Sequence, residues 1–286
     1  MANVLLVGGT GNLGRKVAQE LRNAGHEVTA IVRNEQRASI LSPFIQKTIL
    51  ADVLKPDAFA GAAVGIDVVV STLGKSVSLF DFSRPSFEEV DYEANRRLLD
   101  EARRQGIRKF IYMSALGAEN HPDLTYFSVH HRLSEDVKAS GLDYGIVKPP
   151  ALFSAFRDLM QLAKKGALVT PGDGLHRTNP IYEGDLARII VETIHQPSLV
   201  IEAGGPVVYT RKEINELIQK YIAPEHTVRS IPLKLALAGL PVTKWHGRNL
   251  YDKTAFFLEV IQHDVLAPMI GHTTLEMYLQ QRLYEQ

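Results

Sequence analysis

The sequence predicts an α/β fold: an open, doubly wound parallel sheet with helices on both faces, followed by a smaller C-terminal α/β region. Three observations predict it. Short apolar runs alternate with amphipathic stretches through the first half of the chain. Those runs are continuous rather than alternating, as in strands buried on both faces. A glycine-rich loop joins the first run to the first amphipathic stretch.

The elements follow in order. VLLV (4–7) is the first strand, and LGRKVAQELRNAG (13–25) is a helix with Leu13, Val17 and Leu21 at helical spacing and Gly25 as its stop. VTAIV (28–32), KTIL (47–50) and DVVVS (67–71) are the next strands. PSFEEVDYEANRRLLDEARRQG (85–106) is the longest helix, with Pro85 near its start and Gly106 at its end. KFIYMS (109–114) and DYGIVK (143–148) are strands, and YFSVHHRLSEDVK (126–138) between them is helical. Past residue 150 the rhythm changes to helices (RDLMQLAKKG, EGDLARIIVETIHQ, RKEINELIQKYI) among short strands and Pro/Gly turns, closing on TTLEMYLQQRLYEQ. The expected organisation is a dinucleotide-binding core over 1–150 and a smaller substrate region over 151–286, interleaved with the end of the sheet in a single compact unit.

Composition narrows the function. The chain has 286 residues, 45% hydrophobic and 22% charged, which is ordinary for a globular protein. A net charge of zero gives no pull toward nucleic acid or an anionic membrane. The absence of cysteine excludes disulfides and thiol chemistry. The longest apolar candidate, LALAGLPV (235–242), contains Pro241 and falls short of the roughly 20 residues a span needs. The first apolar run is only Val4–Val7, with no basic region before it, so no signal peptide is expected and a cytoplasmic location is. The ten histidines are scattered without a His-x-x-x-His pair, so no metal site is expected.

The loop VLLVGGTGNLG carries the first chemistry. Gly8 permits a tight turn, Gly11 leaves room for a phosphate and Gly14 allows close helix packing, while Thr10, Asn12 and Leu13 complete the cradle. The second strand ends in Arg33, with Arg37 one helical turn on. A guanidinium there suits a 2′-phosphate, so NADP(H) is expected over NAD(H). Asp52 is either a turn cap or a ligand for the adenine amino group, with Val53 over the ring. Ser71, Thr72, Leu73 and Gly74 end the fourth strand and should run along the cofactor.

With these residues the chain resembles the short-chain dehydrogenase/reductase superfamily, most of all its atypical, NmrA-like NAD(P)-binding branch. GGTGNLG matches the branch's GxxGxxG. VDYEANRRLLDEARRQGIRKFIYMSALGA (90–118), SGLDYGIVKPPALF (140–153), TNPIYEGDLA (178–187) and GGPVVYTRKEI (204–214) are similar to its later segments. The resemblance implies a Rossmann-like sheet of seven parallel strands with a small C-terminal substrate subdomain. It also implies a catalytic serine, at Ser114, and a Tyr-x-x-x-Lys pair on the following helix.

That pair is altered here. Tyr126 is followed four residues later by His130; in the alternative alignment Phe127 precedes His131. A phenol has a pKa of about 10 and a histidine about 6.5, so a neutral imidazole assists the phenol far less than a lysine would. Adjacent residues on a helix point about 100° apart, so only one pair can face a cofactor. The register set by Glu135 favours His131, oriented by Glu135 as a general acid, and leaves Tyr126 near the rim; a surface His–Glu pair without chemistry is the alternative. Asp185 is expected to cap or brace. Phe153, Phe156 and Met160 are either pocket lining or core, and Trp245 in KWHGRN is either a lid or a packing contact.

The function expected is that of an NADP(H)-dependent reductase acting on a small carbonyl or quinone-like acceptor through Tyr126, His130 or His131 with Ser114. Its rival is a non-catalytic NADP(H)-binding redox sensor, regulator or assembly factor, which the altered pair favours and which would have a protein partner. Neither reading involves nucleic acid or a membrane.

Overall fold

The structure is a computed structural model that describes residues 1–284. In chain order its strands and helices begin β1 (Asn3–Val7), α1 (Asn12–Asn23), β2 (Glu27–Val32), α2 (Glu35–Leu41), β3 (Lys47–Leu50) and β4 (Val68–Ser71). A π-helical segment, Glu88–Ala94, runs into α3 (Asn95–Arg104), followed by β5 (Lys109–Met113), α4 (Thr125–Lys138) and β6 (Asp143–Lys148). Next come α5 (Arg157–Lys164), β7 (Val169–Pro171), β8 (Arg177–Thr178), α6 (Glu183–Glu192), β9 (Leu199–Glu202), β10 (Tyr209–Thr210) and α7 (Arg211–Ile222). The chain closes with β11 (Arg229–Ile231), α8 (Leu233–Ala238), α9 (Leu240–Trp245), α10 (Arg248–Val260) and α11 (Leu275–Tyr284).

Seven strands form one sheet in the order β3-β2-β1-β4-β5-β6-β9. The pairings from β3 through β6 are all parallel, with Val7 opposite both Ile31 and Ser71. The apolar runs explain this arrangement: every residue of β4, and all of β1 except Asn3, is buried. The order reverses between β1 and β4. In open parallel sheets ligands bind at the carboxyl ends of the strands where the order reverses.

The chain divides into two compact units, each built from more than one chain segment. The sheet unit is Met1–Lys75, Pro85–Lys148 and Glu183–Ile201; the other is Ser76–Arg84, Pro149–Tyr182 and the chain from Glu202 onward. Strand pairing draws 183–201 back, because β9 lies beside β6. In the second unit Phe153, Phe156 and Met160 are buried with Ile214, Ile218, Leu275 and Leu279, so these three belong to its core. Thr210 and Glu213 form a reciprocal capping box at the start of α7.

Candidate functional site

The glycine loop leaves β1 beside the end of β4. Gly8 has φ 81°, and a Cβ there would lie 2.6 Å from the backbone of Thr72 and Leu73. A Cβ on Gly14 would lie 2.2 Å from the Gly8 carbonyl oxygen. The chain's own packing therefore requires glycine at both positions. Gly11 is different: its Cβ would meet only the Gly8 oxygen, at an ordinary 3.4 Å. Gly11 is the N-cap of α1 without a side-chain cap bond, and the first turn of α1 carries no acid. An uncapped helix N-terminus fronted by an exposed glycine fits an incoming pyrophosphate, held by backbone N–H groups and the helix dipole. Thr10 is half-buried, Asn12 is exposed and Leu13 is buried, so Leu13 packs inward.

Arg33 and Arg37 are both exposed, one just past β2 and the other on α2, whose N-cap Asn34 accepts the Arg37 N–H at 2.9 Å. Asp52 closes a turn, its Oδ1 accepting the Leu54 N–H at 3.2 Å. Val53 is half-buried against the sheet core, and its carbonyl accepts from Arg97 at 3.2 Å.

The segment after β4 is tied down from beneath. Thr72 donates its N–H to the Val7 carbonyl at 3.0 Å. Ser71 is buried and its hydroxyl donates to Asn95 Oδ1, which braces the segment. Asn95, fully buried, shares its amide N–H groups among the carbonyls of Leu73 (3.1 Å), Val90 (3.3 Å) and Asp91 (3.0 Å). Bonds from a side chain to carbonyls one turn back explain the π-helical register that precedes Asn95. Asp91 Oδ2 accepts the Lys75 N–H at 3.0 Å, and Gly74 leaves room for that carboxyl. Burial pushes the Asp91 carboxyl up to about 8. Neither Asp91 nor Asn95 was singled out from the sequence. The signal was present: two polar residues at the buried, helically spaced positions of VDYEANRRLL.

On α4, His130 is 2% exposed and its Nδ1 lies 2.5 Å from the Tyr112 hydroxyl. Burial raises the Tyr112 phenol well above its ordinary value and lowers His130 to about 4. The neutral ring shares one proton position with the Tyr112 hydroxyl at Nδ1, and its Nε2 lies 3.6 Å from Asp91 Oδ1. His130, expected as a candidate catalytic residue, is thus buried between Tyr112 and Asp91. Ser114 is buried and bonds Ser134 Oγ at 3.0 Å, while Ser134 donates to the His130 carbonyl.

Tyr126 is half-buried rather than at a rim. Its ring packs edge-on against Phe87, Phe127 and His130, and burial, reinforced by Asp91, raises its phenol far above the usual value. His131 is half-exposed on the adjacent face. Glu135 accepts from Lys138 at 2.8 Å, a bond that does most to hold its carboxylate low, with smaller pulls from His131 and Lys148. The expected Glu135–His131 brace is thus taken over by a lysine one turn along. Lys148, at the end of β6, pairs with Glu119 at 3.0 Å, a carboxylate on which His131 also acts. Among the described residues no cluster of three or more His, Asp or Glu side chains is placed to hold a metal ion.

An uncapped phosphate-type loop at the switch point of a parallel sheet defines a dinucleotide-binding protein. The chain belongs to the NAD(P)H-binding family, whose model matches residues 8–197, and it shares its fold with solved NADPH-dependent reductases. It is similar to the photosystem II assembly factor Ycf39 of Guillardia theta, 24% identical over 305 residues that cover 97% of this chain and 93% of the relative. Its match to the assembly factor Ycf39 of Cyanophora paradoxa, 31% identical over 150 residues, covers 51% of this chain and 44% of that protein, under half its length. The divinyl chlorophyllide a 8-vinyl-reductase of Arabidopsis thaliana is 27% identical over 257 residues, 82% of this chain and 60% of the relative. Among solved structures, the NADPH complex of an NADPH-dependent quinone oxidoreductase from Escherichia coli superposes with TM-score 0.72 at 18% identity, covering 98% and 99% of the two chains.

Proposed function

We propose that this chain binds NADP(H) in preference to NAD(H) and reduces a small carbonyl or quinone-like acceptor. The observation that carries the cofactor reading is Gly11, a glycine that the chain's own packing does not require, at an uncapped helix N-terminus. Bound NADPH supplies a hydride. The Gly8–Gly14 loop would hold the pyrophosphate through backbone N–H groups, and Arg33, with Arg37 a turn away, would take the 2′-phosphate. Thr72, Leu73 and Gly74 would flank the cofactor in a fixed backbone path. His131, half-exposed on α4, would hand a proton to the reduced oxygen, with Tyr126, whose phenol burial pushes far up, the poorer donor and His130 enclosed.

A second reading has its own support. Ser114, His130 and Asp91 are all buried and committed to partners inside the unit. A site whose proton carriers are built into the scaffold also suits a non-catalytic NADP(H)-binding regulator or assembly factor, and the likeness to Ycf39 supports that. NADPH and NADH titrations, followed by turnover of wild type and His131→Ala with quinone and carbonyl acceptors, test both. Tight NADPH binding with turnover lost in the variant supports the reductase; tight binding without turnover of any acceptor supports the regulator. Binding of neither nucleotide at millimolar concentration sinks both.

A further inference from the structure

The second unit carries an apolar surface that its own core does not use. None of residues 224–250 is buried, although this stretch forms β11, α8 and α9. Leu235 is 64% exposed, Val242 50% and Trp245 89%. The sequence alternatives for Trp245 included a packing contact, which such exposure excludes. Two more large apolar side chains, Phe80 at 42% and Phe82 at 82%, stand on the segment Ser76–Arg84 of the same unit.

That segment is held in place. Lys253 of α10, 1% exposed, donates its ammonium to the carbonyls of Ser78 (2.8 Å) and Asp81 (2.6 Å). Asn249, in the first turn of α10, donates to the carbonyls of Ser83 (3.2 Å) and Arg84 (2.7 Å). Asp158 accepts from the Ser78 hydroxyl (2.6 Å) and the Leu79 N–H (2.7 Å). Helix α9 packs on the same α10. One helix therefore anchors both the phenylalanine segment and the tryptophan helix, and the exposure of these side chains is built in rather than a frayed end.

Charge selects the occupant. Between Glu225 and Asp252 the chain has no acid, yet it carries Arg229, Lys234, Lys244 and Arg248, all exposed. Arg84 adds an exposed cation to the phenylalanine segment, whose Asp81 lies 3.5 Å from the Lys253 ammonium. The net charge of zero hides this segregation. Arg248 is paired with Asp252 at 3.7 Å, which leaves Arg229, Lys234 and Lys244 as the excess cations beside the tryptophan and leucine, a combination that suits the boundary between anionic headgroups and acyl chains. Among the described residues no helix is long and apolar enough to cross a membrane, so such contact lies in the interface plane. We propose that Phe80, Phe82 and helices α8–α9 dock this protein reversibly on an anionic lipid surface, with Trp245 entering the headgroup region.

Trp245 is the only tryptophan in the chain, so its emission reports on this surface alone. Vesicles of phosphatidylglycerol with phosphatidylcholine, and of phosphatidylcholine alone, are titrated into the protein, and binding is followed by Trp245 emission and by flotation. The expected result is a blue shift and flotation with the anionic vesicles, reversed by high salt. Lys234→Gln with Lys244→Gln should lower the partition coefficient roughly 25-fold, about fivefold per cation, with an unchanged melting curve. Emission that stays at its solvent position at millimolar anionic lipid, without flotation, overturns the proposal. So does equal binding to both vesicle types with no effect of the lysine substitutions. A blue shift that follows protein concentration without lipid, together with a doubled molar mass, overturns it in favour of a second copy of the chain. NADPH titration of the double variant reads the cofactor site separately.

Discussion

The carboxyl of Asp91 accepts the backbone N–H of Lys75 at 3.0 Å, while its other oxygen faces His130 Nε2 at 3.6 Å. One buried side chain thus connects the strand end that should flank the cofactor with the helix that bears the altered tyrosine motif. Burial raises Asp91 to about 8 and lowers His130 to about 4.

These shifts set opposite pH dependences. Between the unfolded and folded values of Asp91 the native state holds a proton that the unfolded chain has released, so stability falls as pH rises toward 8. For His130 the unfolded chain holds the extra proton between 6.5 and about 4, so stability falls as pH drops through that range. The two oppose each other below pH 6.5, and Asp91 acts alone above it. Denaturant unfolding from pH 6.5 to 8 should show a loss of about 1–2 kcal/mol that Asp91→Asn flattens. An identical slope in the variant would refute the assignment.

Asn95→Ala strips partners from the Ser71 hydroxyl and from the carbonyls of Leu73 and Asp91 at once. Unsatisfied buried groups make this worth about 2–4 kcal/mol of stability in urea unfolding. A loss under 1 kcal/mol would mean that water replaces the amide without strain.

The loop glycines should separate by phenotype. Gly14→Ala places a methyl 2.2 Å from a backbone oxygen and should lower the melting temperature sharply. Gly11→Ala meets nothing closer than 3.4 Å, so it should melt near wild type and lose NADPH affinity. Unchanged affinity in Gly11→Ala would remove the phosphate from this loop.

Arg33→Ala should weaken NADPH about 10- to 100-fold, the range for a charge-assisted phosphate contact, and leave NADH binding as it was. Equal losses for the two nucleotides would place Arg33 away from the 2′-phosphate.

The succession of strands and helices along the chain, the glycine loop and the basic end of β2 could be read directly because each depends on neighbours within a few residues. Periodicity marks strands and helices, and a tight βα turn announces itself through Gly8 and Gly14. The sequence even named the residues of the altered motif, Tyr126, His130 and His131. It could not say that His130 turns inward to Tyr112 and Asp91, that Ser114 spends its hydroxyl on Ser134, or that Glu135 pairs with Lys138.

What the sequence by itself determined is therefore the sheet and the cofactor loop, where local pattern and backbone sterics decide. What only the tertiary structure decided is the chemistry of α4 and the surface of the second unit. Burial sets the protonation of His130, Tyr112 and Asp91, and it depends on chain segments 18 to 39 positions apart. The placement of Phe82 likewise depends on Lys253, which joins segments 172 residues apart in sequence. Desolvation and long-range anchoring arise only when those segments meet, and no local pattern encodes either.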